Sequence, residues 1–208
     1  MYIPKPNKLD DKTDIFDLME SSSFATVVTI DDVGLPFATH MPVVLDRTHG
    51  PNGMLISHIA RANPQWKHFS NGQEILVIFS GPHAYVSPSW YASNYNVPTW
   101  NYMAVHAYGR PKIVENQIRL QQMLTALVAT YEQNLSPEWK VDWSDERNQN
   151  MMQAIIGFEI EITQLEGKSK LSQNKSVADQ QGVVDALRQS PDTAVTQVAE
   201  EMTKNLSS

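Results

Sequence analysis

Residues 79–102, FSGPHAYVSPSWYASNYNVPTWNY, constrain the possible folds of this chain more than any other stretch. Seven of these 24 residues are aromatic, and three prolines lie among them. Proline fixes φ and has no amide hydrogen, which excludes one continuous helix or one central strand. The stretch therefore predicts two extended segments joined by a turn around residues 89–96. Rings beside hydroxyl, amide and imidazole groups suit a flat ligand or a subunit interface, but an ordinary half-buried β-hairpin explains them as well.

Hydrophobic patterning along the rest of the chain predicts six strands, a group of helices, a seventh strand and two last helices. Strands are predicted at residues 23–30, 35–45, 54–59, 74–79 and 157–167, and the aromatic stretch supplies two more, the second ending near residue 114. Helices are predicted at residues 14–19, after Asn63-Pro64, at 115–133, after Ser136-Pro137, at 147–156, at 176–187 and at 191–206.

This order of elements lacks the βαβ alternation of a doubly wound parallel sheet. It favours a mainly β fold with peripheral helices (α+β), built as a mostly antiparallel barrel. We predict one barrel domain at residues 1–175 and a helical extension at residues 176–208 that packs on it.

Charge and composition exclude several classes of protein. The net charge of −7 and the scattered distribution of 16 Lys and Arg do not support DNA binding, although a local contact remains possible. Without cysteine there is no disulfide framework and no thiolate metal site. No apolar run is long enough to span a membrane and the first residues do not form a secretory signal, so we expect a cytoplasmic protein.

The familiar catalytic signatures are missing from the sequence. There is no G-x-G-x-x-G, no P-loop and no G-x-S-x-G elbow, and the six histidines never occur in H-x-x-x-H spacing. We therefore predict no metal site, and no residue stands out as a general base. Whether the protein is an enzyme stays open at this stage.

Polar residues near strand ends form the candidate site. Ser57-His58 ends a predicted strand, and Arg61 and Asn63 follow at the start of a helix, where guanidinium donors and free amides could bind a phosphate. The alternative is that Arg61 is a solvated loop residue and Asn63 only a helix cap. The lysine-rich segment 168–175 is either a solvated loop or a lid of donors over an anionic ligand.

Six blocks of sequence, taken together, resemble the PaiB-type negative transcriptional regulators that bind FMN. They spread from residue 1 to about residue 175: MYIPKPN, FATHMPVVL, SHIARANPQW, VIFSGPHAYVSPSWY, VPTWNYMAVHAYGRP and KLSQNK. The resemblance implies an FMN-binding split β-barrel, the fold shared with pyridoxamine-phosphate oxidases and flavin reductases. It also implies a homodimer with FMN at the dimer interface.

The resemblance places Ser57 and Arg61 at the phosphate of FMN, the TH and PTWNY segments near the flavin ring, and KLSQN near the ring or the substrate side. The arginine–lysine pair of the oxidases is represented here by Arg61-Ala62. The residues predicted to bind the cofactor are Thr39, His40, Ser57, His58, Arg61, Asn63, Trp100, Asn101, Lys170 and Gln173.

Three functions are compatible with these observations. The first is an FMN-binding regulator that represses transcription. The second is a flavin-dependent oxidoreductase resembling the oxidases or flavin reductases. The third is a dimeric module that binds flavin or haem without turnover.

Overall fold

A computed structural model describes residues 1–206 of the chain, and eight strands and five α-helices lie within them. The strands are β1 (Lys8–Leu9), β2 (Phe24–Ile30), β3 (Pro36–Pro42), β4 (Val44–Asp46), β5 (Met54–Ala60), β6 (Ile75–Val86), β7 (Thr99–Ile113) and β8 (Ile155–Lys170). The helices are α1 (Lys12–Ser21), α2 (Gln117–Glu132), α3 (Glu146–Met152), α4 (Val177–Leu187) and α5 (Thr193–Leu206). Short 3-10 helices span Lys5–Asn7, Pro64–Asn71 and Pro88–Trp90.

The strands belong to one sheet in the order β3-β2-β6-β7-β8-β5-β4, with β1 paired to β8. The pairs β2–β3, β2–β6, β4–β5, β5–β8 and β1–β8 are antiparallel. Antiparallel neighbours need no helical crossover, which agrees with the missing βαβ alternation in the sequence. The predicted mainly β fold with helices is confirmed.

The chain divides into two compact units. Unit 1 contains Met1–Ser21, Ser80–Val105 and the segment from Glu166 onward; unit 2 contains Ser22–Phe79 and His106–Leu165. Strands β6, β7 and β8 contribute residues to both units. The division into a domain of residues 1–175 and an extension of residues 176–208 stays a prediction.

The core of unit 2 is built from the inward faces of its strands. Val27, Leu55 and Phe158 are almost completely buried, and the Phe69 ring packs against Phe158 with centroids 4.7 Å apart. The buried Gln65 amide donates to the carbonyl oxygens of Val27 (2.9 Å) and Phe37 (3.1 Å). This side chain therefore ties the 3-10 helix Pro64–Asn71 to β2 and β3.

The core of unit 1 is mainly helical. The buried apolar residues of its three helices are Ile15, Phe16, Leu18 and Met19 of α1, Val183, Val184 and Leu187 of α4, and Val198, Ala199 and Met202 of α5. Helix α4 packs against α5 and against the 3-10 helix Pro88–Trp90. A Cβ at Gly182 would lie 2.2 Å from the Trp90 carbonyl oxygen, so only glycine allows this approach.

Two strand predictions are corrected by the structure. Residues 35–45 form β3 and β4 rather than one strand, because Pro42 has no amide hydrogen and the chain changes partner there, from β2 to β5. Residues 75–86 form the single strand β6 rather than two. Pro82 is tolerated inside β6 because β2 pairs only with Leu76–Ile78 of this strand. Pro82 therefore has no partner in β2 that would need its missing amide hydrogen.

The helix predicted after Ser136-Pro137 is wrong. Helix α3 begins at Glu146, where the Asp145 side chain accepts a hydrogen bond from the Arg147 amide. It also ends earlier than predicted, at Met152, because Ile155 already pairs with Ala60 in the β5–β8 ladder. Tertiary pairing with β5 therefore overrides the helical pattern of residues 153–156.

Candidate functional site

Arg61 lies immediately after β5 and is held by backbone carbonyls of unit 2. Its guanidinium donates from Nε to the Gln153 oxygen (2.8 Å) and from Nη2 to the Ile155 oxygen (3.1 Å). Trp66 Nε1 donates to the Arg61 carbonyl oxygen at 2.9 Å. Within residues 1–206, no carboxylate lies within ion-pair distance of this exposed guanidinium. The remaining N–H groups of Arg61 are thus oriented and available to an anion.

Asn63 and Thr39 are brought together beside Arg61. The Asn63 side chain accepts from the Gln65 amide at 3.0 Å, so the predicted helix cap is confirmed. Its Nδ2 donates to Thr39 Oγ1, also at 3.0 Å. Both polar atoms of Asn63 are therefore engaged within unit 2, and Thr39 can still donate its hydroxyl hydrogen.

Ser57 and His40 differ sharply in accessibility. Ser57 is completely buried, and its hydroxyl donates to the Pro42 carbonyl oxygen at 2.6 Å. It would have to release this bond to donate to a phosphate. The exposed His40 ring stacks on Phe24 with centroids 6.3 Å apart, and its Nδ1 lies 2.8 Å from Thr26 Oγ1. His40 thus keeps an accessible Nε2 edge for a ligand.

His58 is half-buried, and burial lowers the pKa of its imidazole. The ring is therefore neutral at pH 7. Its Nδ1 is buried without a hydrogen-bond partner. An imidazole with an unsatisfied ring nitrogen can form a hydrogen bond with a ligand.

The KLSQN segment of unit 1 is folded on itself. Buried Asn101 donates from Nδ2 to Ser172 Oγ (3.0 Å) and to Met202 Sδ (3.3 Å). Ser172 holds a φ of 64°, in the left-handed region. The Gln173 side chain accepts from the Leu171 amide at 2.7 Å. Asn101 and Gln173 therefore shape this segment, and a role at the flavin for either stays a prediction.

Lys170 and Lys168 form an ammonium pair at the end of β8. Lys170 donates to Thr99 Oγ1 and to the Trp100 carbonyl oxygen, the latter at 2.6 Å. Burial lowers the pKa of Lys170, and the charge of Lys168 lowers it further, against an opposing effect of Tyr102. Lys168 is only 7% exposed. We call these two groups the lysine pair.

Lys168 was predicted only as part of the lysine-rich segment 168–175, a solvated loop or a lid of donors, and not as a cofactor-binding residue. The loop prediction is wrong for residues 168–170, which belong to β8. The Nζ of Lys168 stands 4.9 Å from the Tyr102 ring centroid and donates to the Tyr2 carbonyl oxygen at 3.1 Å. In the described part of the chain, neither ammonium of the lysine pair has a carboxylate partner. The repeated K-x-K spacing in a strand was the signal available, because alternate strand residues share a side of the sheet.

Aromatic side chains of unit 1 cover one side of β6 and β7. We call this surface the aromatic face; it consists of His83, Tyr85, Trp100 and Tyr102. The Trp100 ring centroid lies 5.8 Å from that of His83 and 6.3 Å from that of Tyr85. Trp100 is 53% exposed and Tyr85 is 45% exposed, whereas the intervening strand residues are buried. Alternation along each strand therefore sorts the aromatic stretch into a buried side and an open side of rings.

The residues of unit 1 fit the two chemical features of FMN. The aromatic face offers rings for stacking against a flat isoalloxazine, and the lysine pair offers cations for an anionic group. In a chain of net charge −7, two adjacent ammoniums without carboxylates are an unusual local excess of positive charge. This donor set favours an anionic, planar ligand.

Residues 1–206 contain neither a cluster of metal ligands nor a membrane-spanning helix. No group of three or more His, Cys, Asp or Glu side chains there is arranged to hold a metal ion. None of the helices in that range has the length and apolar character needed to cross a membrane.

Comparison with known families decides the membership of the chain. Residues 1–164 match the family model described as "Putative FMN-binding domain". The chain belongs to this FMN-binding family. FMN is therefore its cofactor, as the resemblance of the six sequence blocks implied.

Relatives and solved structures agree with this membership. "Protease synthase and sporulation protein PAI 2" of Bacillus subtilis is 37% identical over 207 residues, which cover 99% of this chain and 98% of the relative. The resemblance to PaiB-type proteins is thus confirmed. A fungal relative, "Uncharacterized protein AN0679" of Emericella nidulans, is 33% identical over 183 residues, covering 71% of this chain and 73% of the relative.

Two solved structures share the fold at low sequence identity. The FAD and haem binding protein of Mycobacterium smegmatis has a TM-score of 0.60 and 16% identity, with 79% of this chain and 73% of that chain covered. The flavocytochrome Anf3 of Azotobacter vinelandii has a TM-score of 0.57 and 18% identity, with 76% and 67% covered. These likenesses confirm the predicted split β-barrel as the fold of the chain.

Proposed function

We propose that the protein is a homodimeric FMN-binding regulator of the PaiB type, in which the flavin ring lies against the aromatic face. The observation that carries the proposal is the open aromatic face itself, bordered by the lysine pair. Large rings on a half-exposed sheet surface are energetically unfavourable in water unless a ligand or a subunit covers them. An FMN molecule bound between two protomers would cover these rings with both a ligand and a second subunit.

The homodimer is supported by further exposed apolar side chains of unit 1. Tyr2 is 83% exposed and Val97 is 73% exposed, in addition to the half-exposed Trp100 and Tyr85. Tyrosine and tryptophan are enriched in the buried centres of protein interfaces. We infer that a second copy of the chain covers this surface and that FMN binds at the dimer interface.

A regulatory role is supported by the name of the Bacillus subtilis relative, which refers to protease synthesis and sporulation. The net charge of −7 gives little support to direct contact with DNA phosphates. We therefore propose that regulation is exerted through the flavin or through a partner protein, and that the protein acts in the cytoplasm.

The proposal is tested by titrating FMN into the purified protein while its mass in solution is measured by light scattering. We expect a dimer that quenches FMN fluorescence on binding. Trp100→Ala should weaken FMN binding about 2- to 10-fold, since an aromatic pair contributes about 0.5–1.5 kcal/mol. Trp139→Ala is the matched control, because Trp139 is also about half exposed (54%) but lies in unit 2, off the aromatic face. A monomer that does not bind FMN would refute the proposal.

A further inference from the structure

We propose that the lysine pair makes the site bind reduced, anionic FMN more tightly than oxidised FMN, with Lys168 as a determinant of this preference. The inference rests on the proposed function, because it requires the flavin ring to lie on the aromatic face. The lysine pair would thus select the redox state of the flavin that the site binds.

The lysine pair and the aromatic face share one side of the sheet. Lys168 and Lys170 are two residues apart in β8, so both side chains leave the strand on the same side. The Lys168 ammonium stands over the ring of Tyr102, a member of the aromatic face. A planar ligand that covers this face therefore lies near two cations, Lys168 almost buried beside Tyr102 and Lys170 half-buried.

The charge of the pair is poorly compensated by the protein. Lys168 is nearly buried, and its neighbours are a carbonyl oxygen and two tyrosine rings rather than a carboxylate. Lys170 is likewise bonded to a hydroxyl and a carbonyl oxygen. Removing a charge from water without a counter-charge is costly, so an anion supplied by a ligand is stabilised here more than at the surface. The site thus favours whichever form of its ligand carries more negative charge beside the pair.

Reduction changes the charge of the flavin ring in the required direction. Two electrons and one proton convert the neutral oxidised ring to a monoanion, with the electrons supplied in the test by dithionite. Charge near the ring is one of the means by which proteins tune flavin electronics. By linkage, tighter binding of the reduced form raises the reduction potential of the bound flavin, by about 30 mV for each tenfold difference in affinity.

The experiment measures the dissociation constants of oxidised and dithionite-reduced FMN anaerobically, for the full-length protein and for Lys168→Met. Methionine keeps the length and apolar stem of lysine and removes the charge. We expect the native protein to prefer reduced FMN, and Lys168→Met to lose about tenfold of this preference, equivalent to a potential lower by about 30 mV. Lys168→Arg, which keeps the charge, should retain most of it. Lys67→Met is the control, because Lys67 is an exposed lysine of unit 2.

Riboflavin, which lacks the phosphate, separates a ring effect from a phosphate effect. If the pair acts on the ring, Lys168→Met reduces the redox preference for riboflavin as much as for FMN. Equal weakening of oxidised and reduced FMN, absent with riboflavin, would show that the pair binds the phosphate and would overturn the inference. Unchanged affinities in Lys168→Met would also overturn it and leave FMN binding intact. Failure of the native protein to bind either flavin would instead refute the proposed function.

Discussion

Arg61 shows how a single side chain can be both fixed and available. Two backbone carbonyls of unit 2 hold its guanidinium, and the Trp66 indole holds its own carbonyl. The sequence offered a phosphate-binding arginine and a solvated loop arginine as alternatives. The structure gives an exposed but oriented guanidinium, an arrangement that lowers the entropy cost of binding an anion.

Arg61→Ala is predicted to weaken FMN binding by about 1–3 kcal/mol, the usual range for a charge-assisted contact. Fluorescence titration measures the affinity, and circular dichroism verifies that the variant is folded. Arg110→Ala serves as the control, because Arg110 is an exposed arginine of β7 with no predicted role. A folded Arg61→Ala protein with native affinity would remove Arg61 from the cofactor site.

At the scale of elements, residues at the start of α4 both cap this helix and bind a neighbouring loop. The Ser176 side chain accepts a hydrogen bond from the Asp179 amide, which is half of a capping box. The Asp179 carboxylate instead accepts from the Ser93 amide at 2.8 Å and from the Ser93 hydroxyl at 2.9 Å. Helix α4 thus anchors the loop that leads from the 3-10 helix Pro88–Trp90 to β7.

The hydrogen bonds from Ser93, the backbone amide above all, lower the pKa of Asp179 below its usual value. The stabilisation is therefore fully present above the unfolded pKa of about 3.9 and is lost as the pH falls through the lower folded pKa. Asp179→Asn should lower the urea midpoint at pH 7, and the difference from the native protein should shrink below about pH 4.

The matched control for this pH dependence is Asp185→Asn on the same helix. Asp185 is exposed, and its carboxylate accepts a hydrogen bond from the Gln181 side chain, four residues earlier. Its replacement should change the urea midpoint little at either pH. A native-like midpoint for Asp179→Asn at pH 7, or a difference that persists at pH 3, would contradict the assigned role of Asp179.

At the scale of the whole molecule, the balance of 16 basic against 23 acidic residues bears on the partner. Helix α5, the second of the paired terminal helices, carries one cation, Lys204, whose ammonium is bonded to Glu201. A helix with this charge pattern is a poor ligand for DNA phosphates. Regulation by direct DNA binding would therefore need a positively charged surface elsewhere on the protein, because helix α5 does not provide one and the net charge is negative.

We predict that gel-shift titrations will detect no salt-sensitive complex between the protein and duplex DNA. Phosphate contacts release counterions, so specific or non-specific DNA binding must decrease steeply with salt concentration. The titration is made with FMN-loaded protein at two or more salt concentrations. A complex whose affinity falls steeply with salt would establish direct DNA binding and refute regulation through a partner.

The sequence alone was sufficient for features that depend on neighbours along the chain. The strand at residues 157–167, the helix at residues 115–133 and the Asn63 cap were predicted, and the structure has β8, α2 and the Asn63 cap at these places. These patterns are local, since a strand or helix places its own residues on defined sides. The six sequence blocks also sufficed for the family, because their order over most of the chain is specific.

Tertiary structure alone decided which side chains remain free to bind. Asn101, Ser57 and Gln173 are engaged by groups distant in sequence or by the backbone, whereas Lys168 becomes a buried cation over Tyr102. Tertiary pairing also determined that residues 75–86 form one strand, β6, and that helix α3 ends at Met152. Burial, pairing and counter-charge depend on residues that fold against a site from elsewhere in the chain, and no local pattern encodes them.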